Sequence, residues 1–149
     1  MTRIRSSAFS GTVLAMFLGL APMASQAEEP VDMSAVQLQP QQQNGITYLS
    51  GGIGLDESTV MKQIQGYNLR LTFATGPEDK YLPGVNVAIQ KLNGQPVLSV
   101  NDVGPYFFVN LPPDQYMIIS NSNGQEKRQN VAVDRSGAKT VVFHWAQEP

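Results

Sequence analysis

One stretch constrains this chain more than any other: Gly104-Pro105-Tyr106-Phe107-Phe108-Val109-Asn110-Leu111-Pro112-Pro113-Asp114-Gln115-Tyr116. Apolar side chains recur at Phe107, Val109 and Leu111, the period of two expected of a strand that buries one face. Pro112 and Pro113 lack an N–H and have a fixed φ, so a hydrogen-bonded ladder must stop there. Tyr116 and Ile118 then resume the alternation as the next strand. Strand, Pro-Pro corner and strand specify a fold and carry no catalytic group.

The first residues have a different purpose. Arg3 and Arg5 precede the apolar run Val13 to Ala21, and Ser25-Gln26-Ala27 supplies small residues before Glu28-Glu29. That order is the pattern of a secretory signal peptide, and the apolar run is too short for a membrane span. Cleavage is expected after Ala27, leaving a mature chain from Glu28 to Pro149. Without Arg3 and Arg5 the 10 Lys and Arg fall to 8 against 12 Asp and Glu, a net charge of −4. There is no cysteine, hence no disulfide and no thiol for lipid attachment. No later segment reads as a membrane span, and no Lys/Arg cluster suits nucleic acid or anionic lipid. One exported, soluble domain is expected.

Residues 28–44 read as a flexible leader, with Pro30, Pro40 and a glutamine-rich run that cannot bury enough to offset its ordering entropy. A lead-in over 45–66 follows: a short strand Ile46–Ser50, a turn at Gly51-Gly52-Ile53-Gly54, then a helix capped by Asp56 and running to Gln65. Val60, Met61 and Ile64 share one face of that helix, and Gly66 suits its end. The glycine-rich turn lacks the Lys-Ser/Thr of a phosphate loop, and Asp56 and Glu57 would repel an anion, so a tight turn is the better account. From Tyr67 the chain alternates strand and turn. Tyr67, Leu69, Leu71 and Phe73 form one face, then Val85, Val87 and Ile89, with a hairpin signal at Asn93-Gly94. Val131 and Val133, then Val141, Phe143 and Trp145, complete the inward set, and 147–149 is a tail.

Six or seven short strands at regular spacing over 67–146 predict an all-β, antiparallel sandwich with one short N-terminal helix. The expected core is Leu69, Leu71, Phe73, Val87, Phe107, Leu111, Tyr116 and Phe143.

Gly84-Val85-Asn86-Val87, Asn93-Gly94, Gly104-Pro105-Tyr106-Phe107, Leu111-Pro112-Pro113-Asp114-Gln115-Tyr116 and Gly124 together resemble the carboxypeptidase regulatory-like domains. The resemblance covers Tyr67 to Trp145 and implies a prealbumin-like (transthyretin-like) seven-stranded sandwich. Its ending and its glycine-rich start look like those of exported bacterial members, which places the chain in the periplasm. The family corner usually has Gly where Asp114 stands, implying a left-handed or bridge conformation there. In the large enzymes this module is an accessory domain without catalytic residues, and the resemblance implies none here. Transthyretin-like hydrolases of ureide metabolism use histidines on separate strands and end in Tyr-Arg-Gly-Ser; this chain has one histidine and ends Ala146-Gln147-Glu148-Pro149.

Catalytic chemistry has little to draw on. A base needs a nucleophile and an orienting partner, and His144 is alone. One His without Cys cannot make a standard zinc site. A copper site from His144, Met117 and Met61 is the weak alternative, since thioether sulfur is a soft ligand; no cofactor is expected. Binding remains. Tyr106 and Phe108 lie opposite the inward Phe107 and Val109, and with Tyr48 or Tyr81 they can form an aromatic platform for sugars or a partner's apolar side chains. The favoured arrangement has the helix covering them, because its apolar face must be buried somewhere. Open edge strands offer a second mode, accepting a partner's strand. The expected function is a non-enzymatic interaction or accessory module whose partner is an envelope protein, with a small-ligand (carbohydrate, less so copper) module as the alternative.

Overall fold

The computed structural model describes residues 36–146. The expected signal peptide, leader residues 28–35 and tail 147–149 lie outside them. Eleven elements follow in order: β1 (Gln41–Gln43), β2 (Ile46–Gly51), α1 (Leu55–Gln63), β3 (Leu69–Thr75), β4 (Lys80–Tyr81), β5 (Val85–Lys91), β6 (Pro96–Val103), β7 (Tyr106–Val109), β8 (Asp114–Ser122), β9 (Gln125–Val133) and β10 (Lys139–Trp145). They form two sheets. One runs β1-β2-β7-β3-β10, with β4 also paired to β3; the other runs β6-β5-β8-β9.

Period-two alternation decides which face each strand buries. Leu69, Leu71 and Phe73 of β3 and Phe107 and Val109 of β7 meet Val85, Val87 and Ile89 of β5 and Tyr116 and Ile118 of β8 in one core between the sheets. Every expected core residue is in it, and Val141, Phe143 and Trp145 close it from β10. At the corner, Tyr116 is buried and its hydroxyl donates to the Pro112 carbonyl at 2.5 Å. The tyrosine thus ties β8 back to the Pro-Pro corner that follows β7.

Several expectations need correction. The described residues form ten strands rather than seven, and the sheets are not wholly antiparallel, because β10 runs parallel to β3 with Val141 beside Leu71 and Phe143 beside Phe73. Gln41–Gln43, assigned to the flexible leader, is β1 and pairs with β2; a polar strand can form because its partner supplies the ladder. The helix spans Leu55–Gln63, and its N-cap is Gly54, not Asp56. Asp56 and Glu57 instead sit in the first turn, near the positive end of the dipole. Asp114 opens β8 and is not among the positive-φ residues; its Oδ1 accepts the Gln115 N–H at 2.8 Å. No described helix is long and apolar enough to cross a membrane.

Phe107 is fully buried at the centre of this core. Phe107→Ala is expected to cost about 3–5 kcal/mol, measured as a loss of free energy in urea unfolding; a loss under about 1 kcal/mol would place Phe107 outside the core.

Candidate functional site

Tyr106 and Phe108 point away from the main core, yet both are buried, at 6% and 1% exposed. With Leu49 and Met61 they make a second apolar cluster, flanked by Leu38, Ile64 and Tyr67. The helix does cover them. Met61 is its buried anchor, and Arg70, on the outer face of β3, fastens its far end. The Arg70 guanidinium lies 3.8 Å above the Phe108 ring and donates to the Ile64 and Met61 carbonyls. It therefore bonds the Ile64 carbonyl, and shares the Met61 carbonyl with the Ile64 N–H, while stacking on an aromatic face.

The glycines before the helix follow from the same closeness. A side chain at Gly104 would stand 2.6 Å from the Gly51 carbonyl oxygen, so β2 and the entry to β7 touch through backbone alone. A side chain at Gly51 would meet Leu38 and the Glu57 carboxylate at 2.6 and 2.7 Å. Gly52, with φ at 103°, lies against the Tyr106 ring. Its N–H donates to Glu57 Oε1 at 2.8 Å. The first-turn glutamate thus reaches back past the N-cap, Gly54, to hold the chain entering the helix.

That locked turn lifts Ile53 and Leu55 into solvent. They are 66% and 78% exposed, and Tyr81 across from them is 45% exposed. The three surround a hollow of about 320 Å³ that Pro83, Pro105 and the buried Ser58 complete. On the other flank of the Ile53–Leu55 ridge is a second hollow of about 350 Å³, bordered by Val36, Gln37, Asp56 and Glu57. An apolar ridge on a rigid mount, with the exposed Asp56 beside it, suits insertion into another molecule's apolar cleft.

Tyr81 is held in place by polar contacts. Its oxygen accepts the Tyr106 hydroxyl proton at 2.7 Å, and the Lys62 ammonium stands 5.7 Å from its ring centre. The hydrogen bond from Tyr106 lowers the Tyr81 pKa, with Lys62 adding to this against the cost of burial. Burial, with the Tyr81 hydrogen bond and charge added, pushes Tyr106 well above the usual tyrosine range.

The aromatic platform, the less favoured arrangement, is therefore not assembled. Of its members only Tyr81 is open; Tyr106 and Phe108 lie beneath α1, and Tyr48 faces the main core, its ring tilted against Phe107 with centroids 5.5 Å apart. Of the residues that replace it, Ile53 is assigned from sequence to the glycine-rich turn and Leu55 is given no role. Their signal was an apolar residue on each side of Gly54 with no apolar period to bury it.

The copper candidates do not converge either. Met61 is buried in the cluster under α1. Met117 alternates with buried Tyr116 and Ile118, on the outer face of the β6-β5-β8-β9 sheet. His144 alternates with Phe143 and Trp145, on the outer face of the other sheet, so the core lies between it and Met117. His144 Nε2 is 2.8 Å from the Gly76 carbonyl and 3.1 Å from Asp79 Oδ1, pinning the β3–β4 turn. Among the described residues no group of three or more His, Cys, Asp or Glu is arranged to hold a metal.

Arg70→Ala is expected to cost about 1.5–3 kcal/mol through lost charge-assisted hydrogen bonds, with faster hydrogen exchange confined to α1; uniform exchange changes would contradict the role. Tyr106, Tyr67 and Tyr116 all have raised pKa values, with burial the largest cause in each. A raised folded value gives stability that is present below the unfolded value of about 10 and is lost as pH rises past it. Tyr81 has the opposite sign but is one residue against three. The melting temperature should thus fall progressively above about pH 10, with a shallower slope in Tyr106→Phe, as read from thermal melts across pH. No protein-family model matches the chain, and no curated protein matches it in sequence.

Proposed function

We propose that this chain is an exported, non-enzymatic β-sandwich that serves as an interaction module in the bacterial periplasm, with another envelope protein as its partner. The observation that carries this is the Ile53–Leu55–Tyr81 surface: three of the five exposed large hydrophobic side chains among the described residues gather around one hollow. A folded domain that spends a glycine-rich turn and a carboxylate contact to hold apolar residues in solvent has a use for them. The partner is a protein with an apolar cleft, rimmed by a cation to meet Asp56. Support for the carboxypeptidase regulatory-like, prealbumin-like form comes from Tyr67 to Trp145. Seven strands longer than two residues lie there, three in one sheet and four in the other. The non-enzymatic reading rests on the single histidine, His144, having its Nε2 turned to the Gly76 carbonyl and Asp79 in the β3–β4 turn rather than to a nucleophile. The small-ligand alternative rests on Tyr81, whose ring borders the same hollow.

A photoreactive residue in place of Leu55 is expected to yield one defined adduct in cells, whereas the same residue in place of Leu92, exposed at a distant hairpin, yields none. Ile53→Asp should weaken binding to the purified partner by about tenfold or more. Equal labelling from both positions, or none from either, rejects the surface. A thermal shift with soluble oligosaccharides that Tyr81→Ala abolishes favours the small-ligand reading instead.

A further inference from the structure

The two sheets leave four edges, and the chain treats them differently. A bare edge is a template for another strand, and stable proteins guard theirs with charge, proline, bulges or shortness. β1 is three glutamines long. β6 begins at Pro96 and carries two register shifts against β5. Side chains also cover it: Ser99 N–H donates to Gln43 Oε1 at 2.9 Å, and Asn44 Nδ2 donates to the Val97 carbonyl at 3.4 Å. β9 has Glu126, Lys127 and Arg128 within a fully exposed six-residue run. β10 has none of these devices. After Lys139 it reads Thr-Val-Val-Phe-His-Trp, without charge, proline or bulge.

Its hydrogen bonds show which groups are free. Lys139 N–H donates to the Asn68 carbonyl, and the Trp145 carbonyl accepts the Gly76 N–H, both at 2.9 Å. In a parallel pair the residues that bond the partner alternate along the strand. Lys139, Val141, Phe143 and Trp145 therefore face β3, and the N–H and C=O groups of Thr140, Val142 and His144 point outward. Among the described residues no strand pairs with them. Val142, in the middle, is 58% exposed.

The space beside this edge is chemically biased. A hollow of about 390 Å³ lies between β10 and β9, lined by Val142, Phe143 and His144 on one side and Lys127, Arg128 and Gln129 on the other. Arg128 is paired to Glu126, and His144 to Asp79. Lys127 has no ion pair among the described residues, and by alternation with Val131 and Val133 it lies on the inward face of β9.

We infer that the free edge of β10 is a strand-acceptor site for an extended, acidic segment of a partner protein. The segment extends the sheet beyond β10 and bonds the backbone of Thr140, Val142 and His144. Side chains aligned with Val141 and Phe143 enter the hollow and meet Lys127, so carboxylates belong there. Those aligned with Thr140, Val142 and His144 lie on the outer face beside the exposed valine, so β-branched apolar residues belong there. This site lies at the far edge of the sheet from β1 and stands independently of the Ile53–Leu55 ridge.

The probes are a fluorescein-labelled heptapeptide alternating Glu and Val, its Lys-Val counterpart, and a Glu-Val peptide N-methylated at alternate residues. Polarisation with the purified protein should show saturable binding of the Glu-Val peptide alone. The amides of Thr140, Val142 and His144 should exchange rapidly in the free protein and become protected with that peptide, while Val141 and Phe143 stay protected throughout. Val142→Pro removes an outward N–H without breaking the β3 ladder, and should weaken binding by about tenfold or more. Lys127→Glu, at an exposed position, should transfer the preference to the Lys-Val peptide and serves if the proline variant does not fold. No binding at millimolar peptide, or binding indifferent to both variants and to N-methylation, overturns the proposal. A dimer of the unliganded protein that Val142→Pro converts to monomer also overturns it, assigning the edge to a second copy.

Discussion

Burial of β7 on both faces is the constraint on which the rest of the structure depends. All four of its residues, Tyr106 to Val109, are buried. Phe107 and Val109 are satisfied by the opposing sheet, but Tyr106 and Phe108 have no sheet above them. Two aromatic rings left in water would forgo several kcal/mol of burial, roughly 1.5–3 each. A third layer is therefore required, and α1 with the segment around Leu38 supplies it. The helix is only nine residues long, too short to persist alone, so dependence is mutual: the strand needs a cover and the cover needs the strand. Arg70 joins the two, since one guanidinium serves the Phe108 ring and the helix carbonyls together.

Close packing of this layer dictates its glycines and, through them, the exposed ridge. With Gly51 against Gly104 and Gly52 beneath Tyr106, the chain has no freedom to turn Ile53 and Leu55 inward. Their exposure is thus a consequence of how the helix is mounted rather than of loose packing. The same mount carries Tyr81, whose hydroxyl is tied to buried Tyr106. Each hydrogen bond that holds this surface in the free protein reduces the ordering entropy a partner must overcome.

The flanks of the sandwich are closed unequally. On one side Gln43 and Asn44 stand in for a strand by bonding β6 through their side chains, joining the edge of one sheet to that of the other. On the opposite side the link between β9 and β10 is the Trp145 indole N–H donating to the Gln125 carbonyl at 3.1 Å. This closes one end of the gap and leaves the middle open. Charge protects β9; β10 depends on nothing comparable.

Local chemistry made much of this legible. Period-two alternation marked the inward faces of β3, β5, β7, β8 and β10, because a one-residue slip would expose the whole set. Pro-Pro marked the corner, and Tyr116 found its partner four residues back. The helix was foreseeable from the spacing of Val60, Met61 and Ile64, though not its cap, and its position over Tyr106 and Phe108 from the need to bury both. Other features depend on contacts distant in sequence. Gln41–Gln43 is a strand only because β2 lies beside it, and β10 is parallel to β3 only because the chain crosses between sheets before returning. Gly54 rather than Asp56 is the N-cap because the helix begins at Leu55, with the Ser58 N–H bonded to the Gly54 carbonyl. The sequence by itself determined what must be buried, since burial follows residue type and period. Tertiary structure alone decided what remains exposed, Ile53 and Leu55 on the ridge and the edge of β10, because exposure is what is left after every other surface has found a neighbour.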